Sequence, residues 1–238
     1  LMTGSGLMAQ QDALFSQYMF NMLVINPGYA GSSDALNVTL VNRQQWAGLD
    51  GAPQTSTFSI HAPLRNENVG LGLYAYSDVL GPSKSTGVLA SYSYKVRLGN
   101  GKLAFGVQFG VKSDHIDWNM IDMIHTDVSY PEATKKNVNL DANFGIYYSS
   151  DNFYLGVSSK QLFEKNIGVA ESDDEFAYSK LLRHFYGMAG MTFPISNSVV
   201  LKPSTLVKYV DNAPVQVDFN ANFLINDVLW LGASYRTE

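Results

Sequence analysis

Four histidines are the side chains of this sequence best suited to acid–base or metal chemistry, and their spacing argues against both roles. His61, His115, His125 and His184 include no i, i+4 pair, and His115 and His125 have a loop spacing rather than a ligand spacing. The absence of cysteine excludes thiolate ligands, disulfides and a cysteine nucleophile. The G-x-S-x-G, H-E-x-x-H and P-loop motifs are also absent. We therefore predict no catalytic site, no metal site and no cofactor, with the histidines on the surface or facing a lumen.

Two acidic segments could attract a cation, but neither has the spacing of a calcium loop. Such a loop requires D-x-[DN]-x-[DN]-G, which neither "AESDDEF" nor "HIDWNMIDMIHTD" contains. We expect both segments to be solvated loops. Their carboxylates are Glu171, Asp173, Asp174 and Glu175 in the first, and Asp114, Asp117, Asp122 and Asp127 in or next to the second.

The composition indicates that much of the surface does not face water. Only 16% of the residues are charged, beside 20 Gly, 14 Tyr and 13 Phe, whereas a soluble domain has roughly 25% charged residues. The net charge of -5 and the lack of a dense basic stripe argue against a nucleic-acid partner. No apolar stretch is long enough for a membrane helix.

Alternation of apolar and polar residues starts at Leu36 and predicts an all-β chain. In "LAFGVQFGVKSD" the odd-numbered positions from Leu103 to Val111 are apolar, while Gly106, Gln108 and Lys112 lie on the other face. Most predicted strands have roughly nine to twelve residues, which matches the roughly nine to eleven that a tilted strand needs to cross a bilayer. We predict about eleven strands, at 36–46, 54–63, 69–77, 87–98, 103–114, 138–149, 153–159, 182–193, 199–210, 215–224 and 228–236.

The connections between these strands are typical of an antiparallel transmembrane β-barrel. Every even-numbered connection is short, as in "GNGK" and "SSDN", and the two longest are odd-numbered. Outer-membrane barrels have short periplasmic turns and longer extracellular loops. Aromatic residues near the short turns predict a periplasmic girdle; they are Tyr92, Tyr94, Tyr148, Phe153, Phe193 and Trp230.

The alternative to a membrane barrel is a soluble β-sandwich, which also alternates but exposes its polar face to water. Here the polar face is rich in Gly, Asn, Gln and Ser and poor in charge, which suits a crowded, hydrated lumen. Bacterial barrels have an even number of strands, so we expect at least one strand beyond those predicted, unless the strand count is off by one or two. The inward glycines are Gly70, Gly72, Gly106, Gly110, Gly145 and Gly156.

The sequence divides into three parts. Residues 1–9 are expected to be the remnant of a signal peptide, with a cloning remnant as the alternative. Residues 10–35 form an N-terminal helix and turn segment, and residues 36–238 form an outer-membrane β-barrel that we expect to be C-terminally incomplete. On the long loop, the apolar patch "IDWNMIDMI" either folds over the barrel mouth or meets a partner.

The segment ahead of the first strand, "QDALFSQYMFNMLVINPGYAG", carries a resemblance. Together with "NRQQWAGLDGAPQTSTFSIHAPL" and "NVGLGL" it closely resembles the PorP/SprF family of outer-membrane proteins associated with type IX secretion in Bacteroidetes. Met22 and Gly28 depart from the family pattern, which often has Pro and Ala there. The matching residues are Gln11, Asp12, Phe15, Ser16, Gln17, Tyr18, Met19, Phe20, Asn21, Asn26, Pro27, Tyr29, Ala30 and Gly31, followed by Arg43, Gln45, Trp46, Gly48, Gly51, Ala52 and Pro53.

The resemblance implies a non-enzymatic protein of the cell outer membrane, in contact with lipid, that acts in secretion and gliding. Its partners would be type IX secretion components, a large secreted adhesin, or both. A small-solute porin is the alternative, suggested by the polar inner face, and an outer-membrane hydrolase lacks a catalytic set.

We expect the pre-strand segment to contain the site. Apolar side chains at i, i+3 and i+4 spacing predict a short amphipathic helix from about Asp12 to Asn21, which Asn26, Pro27 and Gly28 then break. The helix either packs for stability alone or lies at the periplasmic mouth, where it blocks the lumen or offers a docking face. The predicted plug or partner-binding residues are Phe15, Gln17, Tyr18, Asn21, Asn26, Pro27 and Tyr29.

Overall fold

The computed structural model describes residues 18–46, 48–49, 51–117, 136–163, 166–168, 178–180, 182–211 and 213–237. Fourteen strands are present among them, and their pairings are antiparallel. They are β1 (Asn37–Gln44), β2 (Gln54–Pro63), β3 (Val69–Leu80), β4 (Ser83–Leu98), β5 (Gly101–Ile116), β6 (Lys136–Ser149), β7 (Phe153–Lys160), β8 (Asn166–Gly168), β9 (Tyr178–Lys180), β10 (His184–Met191), β11 (Phe193–Ser196), β12 (Val199–Val210), β13 (Gln216–Ile225) and β14 (Leu229–Arg236).

One antiparallel sheet contains all of these strands except β8 and β9. Its order follows the sequence from β1 to β7 and continues through β10, β12, β13 and β14, while β11 pairs with the start of β12. Strands β8 and β9 form a separate hairpin in the connection between β7 and β10. Within the described residues, β1 and β14 are the edges of the sheet. The predicted antiparallel all-β fold of about eleven strands is confirmed.

Several strand lengths and turns differ from the prediction. The predicted longer connection between β3 and β4 is a tight turn at Gly81 and Pro82, so both strands extend further than expected. The predicted strand 182–193 ends at Met191, and the chain resumes as β11 with a register shift near Ser196. Most of the apolar patch on the long loop, residues 118–124, lies outside the described residues, as do the acidic residues of the "AESDDEF" segment.

The burial pattern of the sheet is inverted relative to a soluble protein. Along β4 the buried positions are Gly87, Leu89, Ser91, Ser93 and Lys95, and the alternate positions, which include the exposed Val88, Tyr92 and Tyr94, face outward. A buried polar face and an exposed apolar face are what a lipid environment requires. The chain therefore presents an outer face to the membrane and an inner face to a lumen.

The predicted aromatic girdle is largely on the outer face. Tyr92, Tyr94, Phe153 and Phe193 are exposed there, each next to a short turn. Trp230 is different, because its register partner Leu224 shares a face with inward residues, which places Trp230 on the inner face. Among the described residues, no helix is long and apolar enough to cross a membrane.

Three 3-10 turns precede β1: Tyr18–Phe20, Met22–Val24 and Pro27–Tyr29. Most of the predicted amphipathic helix, from Asp12 onward, lies outside the described residues. Its described end is a 3-10 turn rather than an α-helix. Pro27 occupies the start of the third turn, where its fixed φ is favourable and its missing N–H is no loss.

Candidate functional site

Residues 18–31, which we call the lumenal segment, lie against the inner face of the sheet. Apart from Met19, Phe20 and Tyr29, every residue of this segment is buried. Its contacts extend from Ser59 on β2 to Trp230 on β14. Because one short segment touches strands from one end of the sheet to the other, the sheet must curve around it. The lumenal segment therefore occupies the space that the sheet encloses.

Asn26 fixes the centre of the lumenal segment to β6 and β7. Its side-chain amide donates to the carbonyl oxygens of Ile146 at 2.9 Å and Val157 at 3.2 Å. Its Oδ1 accepts from the backbone N–H of Gly28 at 2.8 Å, which caps the third 3-10 turn. The side chain is 0% exposed, so water does not compete for these bonds. Every donor and acceptor of this buried amide is engaged.

A row of inward glycines forms the seat for the lumenal segment. A Cβ on Gly106 would collide with the backbone of Pro27 and Gly28, and one on Gly145 would collide with Asn26 Oδ1. On β3, a Cβ on Gly70 would strike the carbonyl of Ala30. The glycines let the backbone of the segment approach the strands more closely than any side chain permits.

The C-terminal end of the segment is held by polar side chains of β2 and β4. Ser93 Oγ donates to the carbonyl of Ala30 at 2.6 Å, and Lys95 Nζ donates to the carbonyl of Gly31. His61 Nδ1 accepts from the Gly31 N–H at 3.1 Å, so the neutral His61 ring carries its proton on Nε2. Gly31 has a φ of +63°, a conformation that favours glycine.

The middle of the segment is bound in the same way. Ser59 Oγ donates to Asn21 Oδ1 at 2.9 Å, and Ser158 Oγ donates to the carbonyl of Ile25 at 2.7 Å. Tyr29 packs edge-on against His61 and Tyr147, with ring centroids 5.1 and 5.4 Å apart. These lumenal hydroxyls replace the water that the segment loses on burial.

The N-terminal end of the segment is held differently. Tyr18 is 1% exposed and packs in an apolar cluster with Met22, Met188 and Leu206. Its hydroxyl lies close enough to polar groups of β7, β12 and β13 to interact with them as hydrogen-bonding neighbours, but within the described residues none of these four atoms forms a hydrogen bond of regular distance and angle. The atoms are Tyr18 Oη, Tyr154 Oη, Ser204 Oγ and Asn220 Nδ2.

Phe20 is the exposed side chain of this end. Its ring contacts Trp230 edge-on at 5.9 Å, and Lys202 Nζ lies 4.8 Å from the Trp230 ring centroid.

Burial raises the pKa of the Tyr18 and Tyr29 hydroxyls, because desolvation disfavours the phenolate. Both side chains therefore stay neutral hydrogen-bonding groups at physiological pH.

A belt of hydrogen-bonded side chains crosses the inner face beside the lumenal segment. Gln108 donates to Ser91 at 2.8 Å, and Asn143 donates to Gln108 at 2.7 Å. Asn143 also accepts from the backbone of Gln161, whose side chain lies 3.1 Å from His184 Nδ1. The belt lies one inward position from the glycine row, toward the long connections, so it lines the inner face beyond the segment.

The structure brings together five of the predicted site residues: Tyr18, Asn21, Asn26, Pro27 and Tyr29. Phe15 and Gln17 lie outside the described residues. The strand residues that bind the segment were not singled out as site residues. Ser59, Ser93 and Ser158 carry only the signal of an inward polar position, which many other residues share.

The histidines have no metal-binding arrangement in the part of the chain that the structure describes, where no group of three potential metal ligands is present. His61 and His184 are buried on the inner face, and His115 is at the end of β5. His125 lies outside the described residues.

Comparison with known protein families gives a match over nearly the whole chain. The sequence model of a family described as "Type IX secretion system membrane protein PorP/SprF" matches residues 7–238. No curated protein matches the chain.

Proposed function

Because this chain belongs to the PorP/SprF family of type IX secretion system membrane proteins, we propose that it is a non-enzymatic accessory barrel whose periplasmic rim binds partners. It is an outer-membrane component of type IX secretion. The proposed partners are components of the secretion machinery or a large secreted adhesin. In this proposal the lumenal segment closes the barrel, and the protein does not transport small solutes.

The observation that carries this proposal is the occupation of the lumen. Residues 18–31 are anchored to β2, β4, β6 and β7 by side-chain hydrogen bonds. The polar belt through Gln108 and Asn143 lies beyond them. A barrel filled in this way supports a scaffold better than an open channel, because each bond would have to break before a solute could pass.

The periplasmic rim is also the place where the segment is accessible. Asp34, Ala35 and Leu36 are exposed between the lumenal segment and β1, and Phe20 is 47% exposed beside Trp230. A partner at this rim would contact the turns of the sheet and both ends of the segment together. The buried residues Asn26 and Pro27 would then act by holding the segment in place, not by touching the partner.

The alternative function is a small-solute porin, which the polar inner face favours. Conductance of the purified chain in planar bilayers separates the two functions. We expect no steady open pore from the native protein. A stable conductance that is independent of the lumenal segment would support the porin and contradict the accessory role.

The accessory role itself is tested by deleting the native gene and measuring surface display of a large adhesin together with uptake of small solutes. We expect display to be lost, uptake to be unchanged, and the native gene to restore display. Normal display in the deletion strain would overturn the proposal, whatever the conductance experiment shows.

A further inference from the structure

Three rows of outward side chains cross β1 to β5, and they become more polar toward the end of the sheet that carries the long connections. The strand register aligns an apolar row, then a hydroxyl row, then an amide and basic row. The apolar row is Leu40, Phe58, Ala75, Val88 and Val111; the second row is Asn42, Ser56, Ser77, Thr86 and Ser113; the third is Gln44, Gln54, Val79, Lys84 and His115.

These rows lie at the upper border of the membrane-facing band. On β4 the outward residues from Val88 to Val96 are uncharged, and Thr86 and Lys84 follow them. That stretch matches the roughly nine to eleven residues of a strand that crosses a bilayer. The hydroxyl and basic rows are therefore at the level of the lipid headgroups, on the side of the long loops, which is the outer leaflet.

A groove of about 410 Å³ lies across this border. It is deep at Ala75, whose neighbours in the same row are the larger Phe58 and Val88. Its walls are mostly outward side chains of the first two rows, with Leu40 and Val138 at its edge. An apolar floor that ends in hydroxyl groups fits an acyl chain joined to a polar headgroup.

A lysine and a histidine lie just beyond the hydroxyl end of the groove. Lys84 and His115 are direct register partners on β4 and β5. Lys84 is exposed and has no ion-pair partner within the described residues. Two nearby carboxylates point elsewhere, since Asp78 accepts from Thr55 on the inner face and Asp114 pairs with Lys112 at 3.7 Å. Asp117 lies one residue beyond β5, where its backbone N–H donates to the Pro82 carbonyl at 2.9 Å, so a third acidic residue is at this end of the sheet.

We propose that this groove is a binding site for an anionic phosphate-bearing lipid of the outer leaflet. One acyl chain lies over Ala75, and the phosphate accepts hydrogen bonds from Thr86, Ser113, Lys84 and the His115 ring. This site is separate from the proposed partner surface, because it is on the outer face at the opposite rim.

The test measures lipid binding to the purified full chain by native mass spectrometry in a neutral detergent. Phosphatidylglycerol is expected to bind more tightly than phosphatidylcholine with the same acyl chains, and glycerol 3-phosphate is expected not to bind. Lys84→Gln should weaken phosphatidylglycerol binding about fivefold, the usual effect of one lysine near an anionic membrane surface. Ala75→Leu fills the groove and should weaken both lipids.

Two variants serve as matched controls. Lys102→Gln removes a lysine at the opposite rim, where it pairs with Glu67 at 3.4 Å, and Ala90→Leu enlarges an outward alanine outside the groove. Neither should change the affinity. Thr86→Ala provides a second headgroup variant, at a half-buried position, if Lys84→Gln assembles poorly.

Three results would overturn the proposal. One is equal binding of phosphatidylcholine and phosphatidylglycerol, and another is equal loss in the control variants. The third is an altered oligomer mass in Ala75→Leu with an unchanged lipid count, which would assign the groove to a second copy of the chain or to another membrane protein.

Discussion

Both ends of the lumenal segment contain buried residues, but they are bonded to the sheet in different ways. At the C-terminal end, the carbonyls of Ala30 and Gly31 have hydrogen-bond partners on the strands, as the Asn26 amide has at the centre. At the N-terminal end, Tyr18 Oη and its polar neighbours lie close together, but none of them forms a well-aligned hydrogen bond in the described part of the chain. Hydrogen bonds weaken steeply as their geometry departs from linear. The segment is therefore fastened at one end and poorly satisfied at the other.

The strand residues that contact each part of the segment explain this difference. Around Asn26 and Gly28 the strands offer glycines, so backbone meets backbone and short hydrogen bonds form. Around Tyr18 the strands offer side chains, such as Tyr154 and Asn220, that fill the space without aligning with the hydroxyl. Any release of the segment should begin at Tyr18 and stop at Asn26. Three substitutions test this contrast, with hydrogen exchange of residues 21–31 as the readout.

The largest effect is expected from Asn26→Asp. The substitution keeps the acceptor for the Gly28 N–H but replaces both donors with a carboxylate oxygen that faces the carbonyls of Ile146 and Val157. An unpaired buried charge of this kind costs about 3–5 kcal/mol. We expect exchange of the segment to accelerate by at least about a hundredfold, while exchange of the strands changes little.

Asn42→Asp is the matched control for this substitution. The Asn42 side chain also donates, with one hydrogen bond to Ser56 Oγ at 2.8 Å where Asn26 donates two, but it is exposed on the outer face. Its replacement should leave the exchange of residues 21–31 unchanged. Slow exchange of the segment in Asn26→Asp would mean that Asn26 does not anchor it.

A smaller effect is expected from Gly106→Ala. The added methyl group would collide with the backbone of Pro27 and Gly28, which cannot move aside as a flexible side chain can. Overpacking of this kind costs about 1–3 kcal/mol, so exchange of the segment should rise by roughly five- to a hundredfold.

Gly187→Ala controls for the loss of a strand glycine. Gly187 faces outward on β10, and a Cβ there would meet only Val207 Cβ, at 3.9 Å. We expect this variant to exchange like the native protein. Equal acceleration in the two alanine variants would show that strand flexibility, and not the glycine seat, holds the segment.

The strands could be predicted from the sequence because alternation reports directly on a sheet with two different environments. Leu103 to Val111 and their polar neighbours define opposite faces in the structure as they do in the sequence. The irregular positions of the strands could not be predicted in this way. The turn at Gly81 and the break after Met191 depend on contacts between strands, which no local pattern contains.

The site could be predicted only in part. The lumenal segment was identified by its resemblance to a family, and Asn26 and Tyr29 were among the predicted residues. Their partners could not be predicted, because Ser93 and His61 are distant in sequence and become neighbours of Ala30 and Gly31 only when the sheet curves. The prediction that Trp230 belongs to the outer girdle was wrong. It rested on the nearness of Trp230 to a short turn, which does not determine the face, since a shift of one residue along a strand moves a side chain to the other face.

The smallest effect is expected from Tyr18→Phe, which removes a hydroxyl that forms no well-aligned hydrogen bond within the described residues. Its loss should leave the segment unchanged or more stable by up to about 1 kcal/mol. Ser93→Ala also removes one hydroxyl, but from the fastened end, where Ala30 would lose its 2.6 Å bond, so there we expect a cost of about 1–3 kcal/mol. Faster exchange in Tyr18→Phe than in Ser93→Ala would reverse the contrast, because it would make the N-terminal end the true anchor and place the first step of release at Gly31.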